Sequence, residues 1–72
     1  MKHIETVRMW TYYNKDTDVI ERNGYGMPVF FKSQAKGEDS VGCFRYYRDD
    51  DPAIVIVAVD VEMRIGETNE GD

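Results

Sequence analysis

Seventy-two residues with a net charge of −5 and 42% hydrophobic side chains describe one small domain. Cys43 is the only cysteine and His3 the only histidine, which excludes an intrachain disulfide and a Cys/His zinc site as staples for so short a chain. No apolar run approaches the roughly 20 residues of a membrane span, and the N-terminus lacks the apolar core of a signal peptide, so the expected setting is cytoplasmic.

The charge is unevenly distributed. Residues 1–48 carry eight basic and six acidic side chains, whereas residues 49–72 carry eight acids against Arg64 alone. A free nucleic-acid binder usually shows a basic footprint. An acidic third points instead to a basic partner, or to solubility alone.

The segment Lys2–Tyr13 is rich in β-branched and aromatic residues and reads as a strand. Asn14–Asp18 are turn formers. Val19–Arg22 reads as the return strand of a hairpin, with one short helical turn over 18–23 as the alternative, because Asp18 and Glu21 have capping-box spacing. Asn23, Gly24 and Gly26 mark a turn, and Val29 to Gln34 a third strand. Ala35–Ser40 reads as a polar loop and Val41–Arg48 as a fourth strand, with Phe44 and Tyr46 on one face and Cys43 and Tyr47 on the other. Asp49–Pro52 form the next turn.

The final strand, Ala53–Ile65, has the clearest pattern. Ala53, Val55, Val57, Val59, Val61, Met63 and Ile65 are apolar at period two, while the other face changes from Ile54, Ile56 and Ala58 to Asp60, Glu62 and Arg64. Its first half is expected to be covered on both faces. Thirteen residues at about 3.3 Å each span roughly 43 Å, so the strand must bend, break or project. The expected fold is all-β, a five-stranded antiparallel barrel or curled sheet of OB-like or SH3-like type over residues 1–66, followed by a flexible acidic tail, 67–72.

No catalytic constellation, cofactor motif or metal-ligand set stands out. Cys43 falls in an apolar strand and is expected to be a buried hydrophobe, with His3 exposed near the terminus. Asn14, Asp16 and Asp18 alternate like the opening of a calcium loop, but Val19 stands at the glycine position and Tyr25 at the bidentate glutamate. The expected function is therefore non-enzymatic: binding and inhibition of a basic, nucleic-acid-binding protein through Asp49, Asp50, Asp51, Asp60, Glu62 and Glu67, in the manner of a DNA mimic. In size and charge the chain resembles small acidic phage proteins that inhibit host nucleic-acid-binding proteins. One alternative is a single-strand nucleic-acid binder with a face of Arg8, Trp10, Phe44, Arg45, Tyr46 and Arg48. Another is an assembly subunit. The small core and long last strand also predict a homodimer.

Overall fold

A computed structural model describes residues 3–65. Two twelve-residue strands dominate it, β1 (His3–Asn14) and β4 (Ile54–Ile65). They pair antiparallel along their whole length, from His3 opposite Ile65 to Asn14 opposite Ile54. On the other edge of β1 lie two short strands. β2 (Val19–Ile20) pairs with Tyr13 and Asn14, and β3 (Phe30–Phe31) pairs with Trp10 and Thr11. The helix α1 (Gln34–Tyr46) connects this edge back to β4. Glu67 and the acidic tail lie outside the described residues.

The period-two alternation of β4 is obeyed, and the expected final strand is present. Among the described residues the sheet has four strands and does not close, so the five-stranded barrel is not formed. The long strand neither bends nor breaks but projects, giving a molecule of 45 × 22 × 20 Å. Val19–Ile20 is extended, as the hairpin reading requires, and no helical turn forms over 18–23. The expected third strand, Val29–Gln34, shortens to Phe30–Phe31.

The larger correction concerns residues 35–48. The expected loop and most of the expected fourth strand are one helix, on which Cys43, Phe44 and Tyr46 lie, with Tyr47 and Arg48 in the turn that follows. Ser33 caps it, its Oγ accepting from the Lys36 N–H at 3.3 Å. The inward stripe runs through Gly37, Ser40, Val41 and Phe44, at helical spacing. Two of those four residues have no apolar bulk, so the helical period is faint in the sequence, while Val41, Tyr46 and Tyr47 favour a strand on propensity. Tertiary packing decides the outcome. Gly37 lies so close to the sheet that a Cβ there would stand 3.0 Å from Ile56 Cδ1. Cys43, expected to be buried in a strand, is exposed on this helix.

α1 covers the sheet face that carries Tyr12, Ile54 and Ile56. Tyr12, Val41 and Ile54 form the buried cluster, with Val29, Phe31, Phe44 and Ile56 packed around it. The Tyr12 ring stacks on Phe44 at 3.9 Å and meets Phe31 edge-on at 5.4 Å. Its hydroxyl shares a hydrogen bond with Ser40 Oγ, so the polar tip of the core aromatic is satisfied. Arg45 Nε–H donates to Ile54 O at 2.7 Å, binding the last helical turn to the start of β4. On the opposite sheet face Thr11 is fully buried, donating to Val29 O, and Val55, Val57 and Val59 are half-buried, so the first half of β4 is partly covered on both faces, with α1 over one of them.

The closeness of Gly37 to Ile56 generates a paired prediction. Gly37→Leu should destabilise the fold by about 1–3 kcal/mol through overpacking. Gly42 lies on the same helix with open space where its Cβ would be. Gly42→Ala should stabilise by about 0.5–1 kcal/mol through helix propensity. Urea denaturation followed by circular dichroism checks both.

Candidate interaction surfaces

Two places in the fold gather chemistry: one end of the sheet, where turns meet, and the ribbon that projects from the other end.

At the first, Asn14 is the organising residue. It ends β1 and is buried, 6% exposed. Its Oδ1 accepts from the N–H groups of Asp16 at 3.0 Å and Thr17 at 3.1 Å, which shapes the β1–β2 turn. Its Nδ2 donates to Asp51 Oδ2 at 3.3 Å, in the turn between α1 and β4. Asp51 Oδ1 accepts from Ala53 N–H at 2.9 Å. Lys15 N–H donates to Ala53 O at 3.0 Å and ties the two turns again through the backbone. Asp16, Asp18, Asp49, Asp50 and Asp51 are thereby brought to one end of the molecule.

Three of these aspartates have left-handed backbone, Asp18 at φ 59°, Asp49 at φ 59° and Asp50 at φ 54°. Aspartate tolerates that region better than most side chains, which is one local reason for its use here. Asp49 and Asp50 are exposed, whereas Asp51 is spent on Asn14 and Ala53. Asp18 accepts a hydrogen bond from the Tyr13 hydroxyl. That bond, then partial burial, then the Asp18 charge hold the Tyr13 phenol above its ordinary value of 10.0.

On the ribbon, Asp60 and Glu62 share the helix-side face with Arg8 and Arg64. Arg8 Nε lies 3.2 Å from Asp60 Oδ1 across the strands. Arg64 Nη2 lies 2.9 Å from Glu62 Oε1 along the strand. All four side chains are more than half exposed, so these pairs contribute little stability. They do neutralise the two carboxylates that sequence spacing singled out. Asp60 and Glu62 thus stand well along the ribbon from the Asp49–Asp51 turn, and the six expected acidic contacts do not form one patch; Glu67 lies outside the described residues.

The residues of the alternative aromatic and basic face are also dispersed. Phe44 is in the core against Tyr12, and the Arg48 guanidinium stacks 4.6 Å above the outer side of its ring. Arg48 also donates to Arg22 O and faces Glu21 at 3.7 Å. Arg45 is held by Ile54 O and Arg8 by Asp60. Trp10 is half-buried in β1. Tyr46 alone of the six combines high exposure, 69%, with no partner but the neighbouring Tyr47 ring at 5.3 Å.

His3 is the first residue of β1, at the far end of the ribbon from the sheet region under α1, where Cys43 resides. Among the described residues no group of three or more His, Cys, Asp or Glu is placed to hold a metal ion. No helix there is long and apolar enough to cross a membrane. Comparison with family models, curated proteins and solved structures finds no match for this chain.

Sequence reasoning missed the convergence of the Asp16–Asp18 turn with the Asp49–Asp51 turn. The alternation of Asn14, Asp16 and Asp18 drew attention to a metal loop, whereas Asn14 serves as a polar hub for two turns 37 residues apart.

Asn14→Ala should remove three hydrogen bonds at a buried position and destabilise the fold by about 2 kcal/mol, measured by urea denaturation. The Tyr13–Asp18 bond requires a neutral phenol. Since the folded value is raised, its contribution is complete below pH 10 and is lost as pH rises through the raised value. An absorbance titration should show one tyrosine ionising later than the rest, and Asp18→Asn should abolish that delay.

Proposed function

We propose that this chain is a non-enzymatic protein-binding domain that engages a basic partner at its aspartate-bearing end. The observation that carries the reading is the Asn14 hub, which holds two acidic turns side by side. Asp16, Asp18, Asp49 and Asp50 are exposed there; the cations beside them in sequence are Lys15 and Arg48, and Arg48 faces Glu21. Carboxylates held by a rigid sheet lose little freedom when an arginine or lysine docks, and their combined field steers a basic surface toward them. In its finer form the proposal is that the domain occupies the nucleic-acid groove of its partner and so inhibits it.

This reading moves the main contact away from Asp60 and Glu62. Their charges are already met by Arg8 and Arg64, so they serve as a secondary surface. The single-strand nucleic-acid reading has less support, because Phe44, Arg45 and Arg48 are engaged in the contacts of the fold itself.

The immobilised protein is expected to retain basic proteins from a cell lysate at low salt and release them as salt rises. A variant with Asp16, Asp18, Asp49 and Asp50 changed to Asn should lose at least tenfold in retention, whereas Asp60→Asn with Glu62→Gln should lose much less. Recovery of no basic protein by the unaltered domain would end this reading. A gel shift of single-stranded oligonucleotides by the domain alone would favour the alternative.

A further inference from the structure

The sheet face away from α1 holds a hollow of about 310 Å³ at the root of the ribbon. Ile20, Pro28 and Phe30 wall it on one side, and Val59 and Val61 on the other. The register brings these side chains to one face. Ile20 stands opposite Tyr13, Phe30 opposite Thr11, and Val59 and Val61 opposite Met9 and Val7. Thr11 lies at the base, fully buried, and its hydroxyl donates to Val29 O at 2.6 Å. That hydrogen bond leaves the base without a free donor, so the body of the hollow is apolar.

Two charged residues border this apolar space, Arg22 and Asp60. They are not equivalent. The register sends the Asp60 side chain to the helix-side face, where Arg8 Nε lies 3.2 Å from its Oδ1. Arg22 is fixed beside the hollow. Its backbone bridges to Pro28, its carbonyl accepts from Arg48, and its Nη1–H donates to Gly26 O at 3.1 Å. Arg8, Arg48 and Arg64 each face a carboxylate, and Arg45 is tied to Ile54 O, but Arg22 has no carboxylate partner among the described residues. The other N–H donors of its guanidinium remain for a ligand. Small-molecule sites combine apolar walls with a few placed polar groups, and a guanidinium fork selects a carboxylate.

We propose that the hollow binds a medium-chain fatty carboxylate, with its chain against Ile20, Phe30, Val59 and Val61 and its carboxylate on Arg22. The proposal is independent of the basic partner assigned to the aspartate end. At about 30 Å³ per heavy atom, the share of one water molecule in the liquid, the hollow holds roughly ten heavy atoms. Octanoate has that size. So small a ligand in a recess open to solvent on one side binds with a Kd on the order of 1 mM. The net charge of −5 works against any anion, and by itself would favour an ammonium on the same chain. A preference for the carboxylate therefore reports a local cation, and Arg22 is the cation in the lining.

Nuclear magnetic resonance titration of the full, isotope-labelled chain at neutral pH tests this, with octanoate, neutral octanediol and octylammonium as the probes. Octanoate should give saturable amide shifts at Ile20, Arg22, Phe30, Val59 and Val61, and should bind roughly tenfold more tightly than either other probe. Arg22→Gln, which keeps an amide donor for Gly26 O, should weaken octanoate roughly tenfold and leave octanediol unchanged. Should circular dichroism show that this variant does not fold, the comparison of the three probes on the unaltered chain decides alone. The absence of saturable shifts up to about 10 mM octanoate would overturn the proposal. So would octanediol or octylammonium binding as tightly as octanoate, or a folded Arg22→Gln chain that binds octanoate unchanged.

Discussion

The pairing of β1 with β4 is the constraint on which everything else depends. It fixes Asn14 opposite Ile54, and so decides which turns meet at that end of the sheet. It also places Tyr12 beside Ile56 under the helix and Arg8 beside Asp60 on the ribbon. A slip of one residue would turn the whole valine stripe onto the helix side and the charges onto the other. The register is held at the closed end by contacts that admit little error. Tyr12 fits between Phe31 and Phe44, Gly37 approaches Ile56, and Asn14 binds Asp51.

The strands were legible in the sequence where side-chain chemistry matched backbone period. β4 shows its alternation in every odd residue from Val55 to Ile65, and β1 its β-branched and aromatic content. The helix was not legible because its inward face is built from Gly37 and Ser40 as well as Val41 and Phe44. A glycine required for close approach and a serine that bonds Tyr12 carry no hydrophobic signal, so the period is hidden by the packing that creates it. The barrel reading failed for a related reason. Strand length in the sequence does not say whether the excess length curls back or extends outward.

The candidate surfaces were partly legible. The acidic character of the Asp49–Asp51 turn is written in three consecutive residues, but its proximity to Asp16 and Asp18 depends on one buried amide 37 positions from its partner. The spacing of Asp60 and Glu62 was read from strand geometry alone. The counter-ion of Asp60, Arg8, emerges only when the register of β1 against β4 is known, whereas Arg64 meets Glu62 two residues away on the same strand. The covered-on-both-faces reading of β4 is met in part: Ile54 is buried under the helix, and Val55, Val57 and Val59 on the other face are half-buried.

The long register has a consequence for how the chain reaches this state. The pairing of His3 with Ile65 joins residues near opposite ends of the described span, whereas the helix and the β1–β2 hairpin close over short loops. Loop-closure entropy and contact order place such distant pairings late in folding. Once Asn14 stands beside Ile54, each further pair along the ribbon closes next to one already made, so the strands zip outward from the buried end. During synthesis, the N-terminal half of β1 waits without its β4 partner until the last strand has emerged. For that interval Val7 and Met9 are more exposed than at any later stage, and the speed of zipping sets how long they remain so.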